Sequence, residues 1–240
     1  MKKLTYLLFS LMMTSAGLTG KATAGVIIGD SDLLNDSHLT QLENWLGEGP
    51  LALTSIYQQQ DSDRATDWHD AVDNRVRSFT LIEINLGAQT MLVGGYNPYS
   101  WDASLRTYRL TRDEADRTAF IYNLSLGMKL DQDLTTSYGR FQTFNSLQLG
   151  PAFGVGMDLR VTSDLNYLSS NLGYSYGDVS RRGDNDYAES FVGGHRRIAV
   201  SKIETFTIAH HTHTDVTAPG SLALMGLGLM GLAMRRREKR

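Results

Sequence analysis

Three histidines near the end of the chain, His210, His211 and His213, have side chains suited to binding a metal ion. Imidazole is a common ligand of zinc, and residues two apart, such as His211 and His213, lie on the same side of an extended chain. The three histidines follow the last predicted strand and fall in a predicted linker, residues 209–216, which lacks the rigid scaffold that a metal site needs. A solvated linker with no cofactor is therefore the favoured interpretation, and metal-linked protection from oxidants is the alternative.

A further histidine, His69, lies beside Trp68 in a predicted helix. A histidine at the edge of an apolar helix face is usually bonded to the backbone or to a carboxylate, and we expect that role here rather than a catalytic one. The carboxylates Asp61, Asp63 and Asp67 at the start of this helix lack the spacing and the terminal Glu of an EF-hand loop. Helix capping explains them better than calcium binding.

The segment Tyr174–Tyr187, YSYGDVSRRGDNDY, combines tyrosines with Asp, Asn and Arg and is predicted to be a long exposed loop. Its aromatic residues, Tyr174, Tyr176 and Tyr187, would offer faces on which a sugar ring can stack. This loop is the predicted ligand site of an extracellular carbohydrate-binding module or hydrolase.

No catalytic residue is assigned from the sequence. No G-x-S-x-G nucleophile elbow, H-E-x-x-H motif, P-loop or cysteine nucleophile is expected in this chain, so these four kinds of active site are not predicted. Carboxylate pairs that hydrolyse glycosidic bonds are recognised by a separation of about 5 to 9 Å, which is a property of the fold. A non-catalytic module is the leading hypothesis, and the hydrolase stays open beside it.

The first 24 residues read as a secretory signal peptide. Lys2 and Lys3 precede an apolar stretch, and Ala22-Thr23-Ala24 provides small residues for cleavage. Signal peptidase would cut between Ala24 and Gly25, which predicts export through the inner membrane.

The last segment, residues 217–240, has an apolar run that is just long enough to cross a membrane and a basic end that would stay in the cytoplasm. Its landmarks are Pro219, Gly220 and the three arginines Arg235, Arg236 and Arg237. The segment resembles PEP-CTERM sorting signals, although Thr217 and Ala218 stand where those signals usually have Pro and Glu. The resemblance implies a transient transmembrane helix, processing by an exosortase near Pro219, and delivery to the outer surface or extracellular matrix. Exopolysaccharide or envelope components are the implied partners.

The two terminal segments conceal the charge of the body between them. The whole chain has 23 Lys plus Arg and 26 Asp plus Glu. The two segments contain eight of the basic residues and one of the acidic ones, so 15 basic and 25 acidic residues remain, a formal charge of −10. An acidic body is repelled by nucleic acid, and we expect no nucleic-acid partner.

The hydrophobic pattern of the body predicts short helices followed by many short strands. Asn35 offers an N-cap to a helix that Gly47 ends, and a second helix with Trp68 and Val72 on one face follows Asp63. The predicted strands are LALTSIY, SFTLIEIN, TMLVGGYN, RTYRL, AFIYNLSL, MDLRV, RRIAV and IETFTI. Together they predict an α+β, mostly β fold: a two-sheet antiparallel β-sandwich with two or more short helices.

A series of landmarks along the body has a physical reason at each position: glycines for turns or close backbone approach, aromatic residues as core anchors, and carboxylates that must be paired. They are Trp68, His69, Asp73, Gly94, Gly95, Tyr96, Trp101, Gly150, Pro151, Phe153, Gly154, Asp158, Gly173, Tyr176, Glu204 and Phe206. In type and order they resemble those of the TLDc domain, which implies a TLDc-like domain over residues 25–208. The resemblance also implies an interaction or protective role of the kind linked to oxidation resistance.

Overall fold

The computed structural model describes residues 24–211. The predicted signal peptide up to Thr23, His213 and the sorting segment lie outside the described residues. The helices within this range are α1 (Asp36–Leu46), α2 (Ala65–Val72) and α3 (Asn185–Val192). The strands are β1 (Val26–Ile28), β2 (Leu51–Gln58), β3 (Ser78–Asn85), β4 (Thr90–Asn97), β5 (Thr107–Leu110), β6 (Phe120–Asn123), β7 (Met128–Asp131), β8 (Phe141–Asn145), β9 (Ala152–Phe153), β10 (Leu159–Val161), β11 (Tyr167–Ser169) and β12 (Ile198–His210).

Helix α1 follows its predicted pattern. The Asn35 side chain accepts a hydrogen bond from the His38 amide at 2.9 Å, which satisfies a free N–H group of the first turn. At the other end Gly47 has a φ of 73° and donates to the carbonyl of Glu43, a left-handed cap that glycine adopts without strain. The predicted first helix is therefore confirmed, including both of its ends.

Strand β12 lies at the centre of the sheet. One edge pairs with β3, from Ala199 to Thr207, while the other edge pairs first with β11 and then, from Glu204 onward, with β2. The register shifts once on each edge of β12, between Val200 and Lys202 on the β3 edge and between Thr205 and Phe206 on the β2 edge. Two of the predicted strands, RRIAV and IETFTI, are parts of this one strand.

Hydrogen bonds join the twelve strands into one network in the order β5-β8-β9-β10-β11-β12-β3-β4-β6-β7, with β2 attached to β12 and β1 to β2. The described strand pairs are antiparallel except β1–β2, which is parallel. The predicted mostly β, largely antiparallel fold with short helices is confirmed. The predicted division into two sheets is not apparent from the hydrogen bonds, because β12 pairs with strands of both halves.

Side chains alternate along β3 and pack into two apolar cores. Phe79 and Leu81 pack in the core that includes α1, whereas Ile82 and Ile84 pack in the core that includes α2 and α3. The first core, which includes α1, is rich in tilted ring contacts between β3, β4 and β6. The second core, which includes α2 and α3, contains most of the predicted aromatic landmarks. The sheet therefore has helices and loops packed on both of its faces.

Strands β7, β8, β9 and β11 and helix α3 are not predicted by the sequence pattern. Strand β8 is the clearest case, since its buried residues are the polar Gln142, Thr143 and Asn145. Gln142 donates to the side-chain oxygen of Asn97 at 2.7 Å, so this strand is stabilised inside the protein by polar contacts. A search for alternating apolar residues cannot find such a strand.

The adjacent glycines Gly94 and Gly95 in β4 allow two close contacts, as the sequence predicts. A Cβ atom on Gly94 would lie 1.9 Å from the carbonyl oxygen of Thr80, and one on Gly95 would lie 2.4 Å from the ring of Phe153. The Thr80 carbonyl is also the acceptor for the buried Tyr122 hydroxyl, at 2.8 Å. Glycine is therefore required here by space rather than by backbone angle.

Replacing Gly94 by alanine should force β3 and β4 apart, because the clash is with backbone that cannot rotate away. We expect Gly94→Ala to lower the free energy of unfolding by about 3 kcal/mol, measured by urea denaturation. The control is Gly194→Ala, whose Cβ would meet nothing closer than 3.3 Å and should leave the stability nearly unchanged. Equal stability of the two variants would contradict the packing described here.

Candidate functional site

Four of the aromatic landmarks form a continuous chain of ring contacts in the second core. Trp68 packs against Trp101 with ring centroids 4.9 Å apart, Trp101 against Phe153 at 5.3 Å, and Phe153 against Tyr176 at 6.2 Å, each edge to face. The indole N–H of Trp68 donates to the hydroxyl of Thr205 at 3.0 Å. Residues from four separate parts of the sequence therefore meet in one packed column.

His69 has a structural position in this column. Its ring is 1% exposed, and its Nδ1 lies 2.7 Å from Asp73 Oδ1. Its Nε2 lies 3.1 Å and 3.2 Å from the carbonyl oxygens of Ser146 and Leu149. The second oxygen of Asp73 accepts from the amide of Ala103 at 2.7 Å. Both ring nitrogens are thus engaged, which confirms the expected bonding to backbone and carboxylate.

Asp158 is a fully buried carboxylate that holds a turn. It accepts hydrogen bonds from the consecutive amides of Tyr174, Ser175 and Tyr176, at distances from 2.9 to 3.4 Å. Gly154, with a φ of 80°, makes room for it, because a Cβ there would lie 1.9 Å from Asp158 Oδ2. Burial raises the pKa of Asp158 to about 7, although the amide donors act in the opposite direction. The expectation that this carboxylate must be paired is confirmed, and its partners are the amides of a turn.

Glu204 is the other fully buried carboxylate among the landmarks. Its Oε2 accepts from the hydroxyl of Ser31 at 2.5 Å, and its Oε1 accepts from the amide of Asp32 at 2.9 Å. These bonds attach the segment after β1 to the central strand. The expectation that this carboxylate must be paired is confirmed, and the pairing is structural.

The prediction that Tyr174–Tyr187 forms a long exposed loop is wrong in part. Tyr176 is fully buried and donates its hydroxyl to the carbonyl of Gln142 at 2.8 Å. Tyr187 lies in α3 at 7% exposure and accepts from the Asp178 amide. Helix α3 buries the apolar face of Tyr187, Ala188, Phe191 and Val192, and this face places Tyr187 in the core. Of the three tyrosines, Tyr174 alone is partly exposed.

Residues 173–177, Gly-Tyr-Ser-Tyr-Gly, have the G-x-S-x-G spacing of a serine nucleophile elbow, so the expectation that the chain lacks this motif is wrong. Ser175 is fully buried, and its hydroxyl donates to the carbonyl of Tyr138 at 2.9 Å and accepts from the Val155 amide at 3.0 Å. An elbow serine must be exposed and bonded to a base. This serine therefore fixes loops and does not act as a nucleophile.

The described residues gather no group of three or more His, Cys, Asp or Glu side chains that could hold a metal ion. His210 belongs to β12, so the strand extends past the predicted linker boundary, and its ring pairs with Glu48 at 3.5 Å. The backbone amide of His211 donates to the carbonyl of Pro50. His213, the other histidine of the hypothetical metal-binding pair, lies outside the described range.

Asp63 accepts a hydrogen bond from the Gln60 amide, as a residue that closes a turn does.

Asp67 likewise accepts from the Arg64 amide, so it caps the start of α2. Asp61 and Asp63 border a groove of about 430 Å³ together with Asp164. Asp164 is itself engaged, because it accepts hydrogen bonds from the Thr162 hydroxyl and the Asn166 amide. The explanation by helix capping is confirmed for Asp67, whereas Asp63 closes the turn before the helix instead of capping it.

A second groove, of about 470 Å³, lies between the β10–β11 hairpin and the start of α3. Three arginines line it, Arg160, Arg196 and Arg197, together with Tyr174 and Asn171. We name it the arginine groove. No local sequence pattern indicates this groove, because Arg160 is far from the other two arginines along the chain and the Arg196-Arg197 pair resembles any solvated charge pair.

Two comparisons concern the whole chain. Residues 215–237 match the PEP-CTERM protein-sorting motif. No curated protein matches the chain. Within residues 24–211 no helix is long and apolar enough to cross a membrane, and the predicted transmembrane helix lies outside that range. The matched motif makes the chain an exported protein that is sorted by an exosortase to the cell envelope or surface.

Replacing His69 by alanine should remove three hydrogen bonds and leave two carbonyls and a carboxylate without a donor. We expect His69→Ala to lower the free energy of unfolding by about 3 kcal/mol, measured by urea denaturation. The control is His210→Ala, whose ring is 61% exposed and whose loss should cost little. A fully stable His69→Ala protein would contradict the structural role.

Asp158 should make the protein less stable as the pH rises. Its pKa of about 7 in the folded state exceeds the ordinary 3.8, so between these values the folded state binds the extra proton. Stability then falls with rising pH by up to about 1.4 kcal/mol per pH unit in this window. We expect Asp158→Asn to lose that slope, measured by urea denaturation at pH 4 to 8.

The control for this measurement is Asp164→Asn. The hydroxyl of Thr162 lowers the pKa of Asp164, so its own contribution is lost only as the pH falls below about 4. This variant should keep the wild-type slope between pH 4 and 7. Equal slopes in Asp158→Asn and wild type would show that Asp158 does not titrate in this range.

Proposed function

We propose that residues 25–208 form a TLDc-like module that the cell exports to its outer surface or extracellular matrix and that works by binding rather than by catalysis. The sorting motif supports its destination. The body would interact with exopolysaccharide or another envelope component, or protect it in the manner that the TLDc resemblance implies. Processing at both ends, by signal peptidase and by exosortase, would release this body.

The TLDc-like assignment is supported by the convergence of its landmarks. Trp68, Trp101, Phe153 and Tyr176 are far apart along the chain but pack edge to face in one column. The glycines that the resemblance includes are needed for space, as Gly95 is against the ring of Phe153. Landmarks that were selected by type and order alone thus have related structural roles, which is what a shared fold requires.

A non-catalytic role is supported by the bonding of the polar landmarks, and this is the observation on which the proposal chiefly rests. His69, Asp158 and Glu204 are each buried, and each forms its hydrogen bonds with backbone groups or with loop side chains. An acid, base or nucleophile needs a group that can reach substrate. These three residues instead position loops.

Removal of the signal peptide before Gly25 is supported by the packing of that residue. A Cβ on Gly25 would lie 1.9 Å from Glu43 Oε1 and 2.7 Å from the carbonyl of Leu51. Ala24, the residue before it, is exposed. Gly25 therefore packs against the body while Ala24 is exposed, which is consistent with cleavage between these two residues.

Mass spectrometry of the protein recovered from the cell surface tests the processing. We expect an N-terminus at Gly25 and a C-terminus before the arginine cluster. Replacing Arg235, Arg236 and Arg237 by glutamine should leave the tail uncut, because the sorting motif would lose its basic end. A surface protein that still ends at Arg240 in a strain with an active exosortase would refute the proposed release.

A carbohydrate-binding role is the second candidate, and the arginine groove favours it. The original basis, three exposed tyrosines, is reduced to Tyr174 alone. The ring of Tyr174 packs against the backbone of Gly156, since a Cβ there would lie 2.2 Å from it. A rigid aromatic ring beside three arginines is a suitable element of a polar ligand site.

A further inference from the structure

The arginine groove is a cationic site in an acidic body. Among residues 24–211, no carboxylate forms an ion pair with Arg160, Arg196 or Arg197. The ion pairs nearby engage other side chains, namely Arg181 with Asp184 and His195 with Glu189. Three unpaired guanidinium groups on one groove attract an anion in spite of the formal charge of −10 on the body.

The floor of the groove is held in place by Asp158 and its neighbours. The Ser170 hydroxyl donates to the carbonyl of Asp158 at 2.7 Å, and the Asn171 side chain donates to the carbonyl of Gly156 at 3.1 Å. The Tyr174 amide donates to the Asp158 carboxylate. Groups that are fixed before a ligand arrives lose little freedom on binding it.

Arg197 is also fixed in position, through both its side chain and its backbone. Its guanidinium carbon lies 4.1 Å from the centre of the Tyr167 ring, and its amide donates to the Ser169 hydroxyl. Its φ of 51° is unusual for a residue with a side chain, and Met157 on the groove has a φ of 56°. Two left-handed residues that carry side chains therefore border one groove, a pattern that occurs often at ligand sites.

We infer that the arginine groove binds a carboxylated saccharide, a chain of sugars that includes uronic acid units. Guanidinium groups match carboxylates with two parallel hydrogen bonds. Asn171, Ser169 and Tyr174 provide neutral side-chain donors and acceptors for sugar hydroxyls. The inference rests on the proposed export, because such polymers are met at the cell surface.

Other anions fit the groove less well. The groove has a volume of about 470 Å³, which suits a ligand of several rings better than a single phosphate. A peptide needs apolar pockets for its anchor residues, and Met157 is the one aliphatic side chain among the described lining residues.

Titration calorimetry on the full chain in mild detergent tests the inference. The probes are tetragalacturonate, a neutral galactose oligomer of the same length, inorganic phosphate and hexaglutamate. We expect that only tetragalacturonate, of the four probes, binds to the protein, and that added salt weakens this binding. Arg160→Gln and Arg196→Gln should each lower the affinity about 10-fold or more. The matched control is Arg112→Gln, an exposed arginine on another surface, which should change nothing.

Thermal unfolding separates loss of binding from loss of fold. Arg196 is exposed and has no bonded partner among the described residues, so Arg196→Gln should keep the wild-type melting temperature. No binding of tetragalacturonate, equal binding of the neutral oligomer, or equal affinity in the Arg160→Gln/Arg196→Gln double variant would overturn the inference. Binding of phosphate or hexaglutamate in preference to the uronate would also overturn it. None of these results bears on the termini of the processed protein, which test the proposed export separately.

Discussion

A buried carboxylate, that of Asp158, fixes the turn on which both the core and the surface groove depend. Three consecutive amides donate to it, so the residues of that turn cannot rotate independently. Tyr174 is thereby placed at the groove, Ser175 between two loops, and Tyr176 against Phe153 in the core. Burying a charge is costly, and the raised pKa of Asp158 reflects that cost. The protein tolerates it because one group organises three neighbouring positions.

The parts of the fold that depend on local pattern could be predicted from the sequence. Helix α1 has its cap at Asn35 and its end at Gly47, and strands β3 and β4 have the bounds that their β-branched and apolar residues indicate. The need to pair Glu204 could also be predicted, because a carboxylate on a buried strand face must find donors. Its partner Ser31 could not, since 173 residues separate the two and no local rule connects them.

Strand β8, helix α3 and the arginine groove could not be predicted from the sequence, and each has a physical reason. Strand β8 buries polar residues, so its stability depends on partners such as Asn97 that the local sequence does not reveal. Helix α3 has only eight residues and follows a polar segment, so the sequence pattern does not distinguish its apolar face from aromatic residues of a loop. The arginine groove brings together Arg160 and Arg196 through the pairing of β10, β11 and β12. Sites of this kind are produced by topology and have no signature at any single stretch of sequence.

The direction of β12 has a consequence for how the body is presented. Arg196 and Arg197 lie directly before this strand, and the chain leaves it at His210 on the way to the sorting motif. Its 13 residues, at about 3.3 Å each, separate the two ends by about 40 Å. Val26 lies near the far end too, because β1 pairs with β2 at Ala52, and Ala52 pairs with Ala209. Both ends of the described chain therefore lie at one pole of the body, and β12 places the arginine groove about 40 Å away, toward the opposite pole.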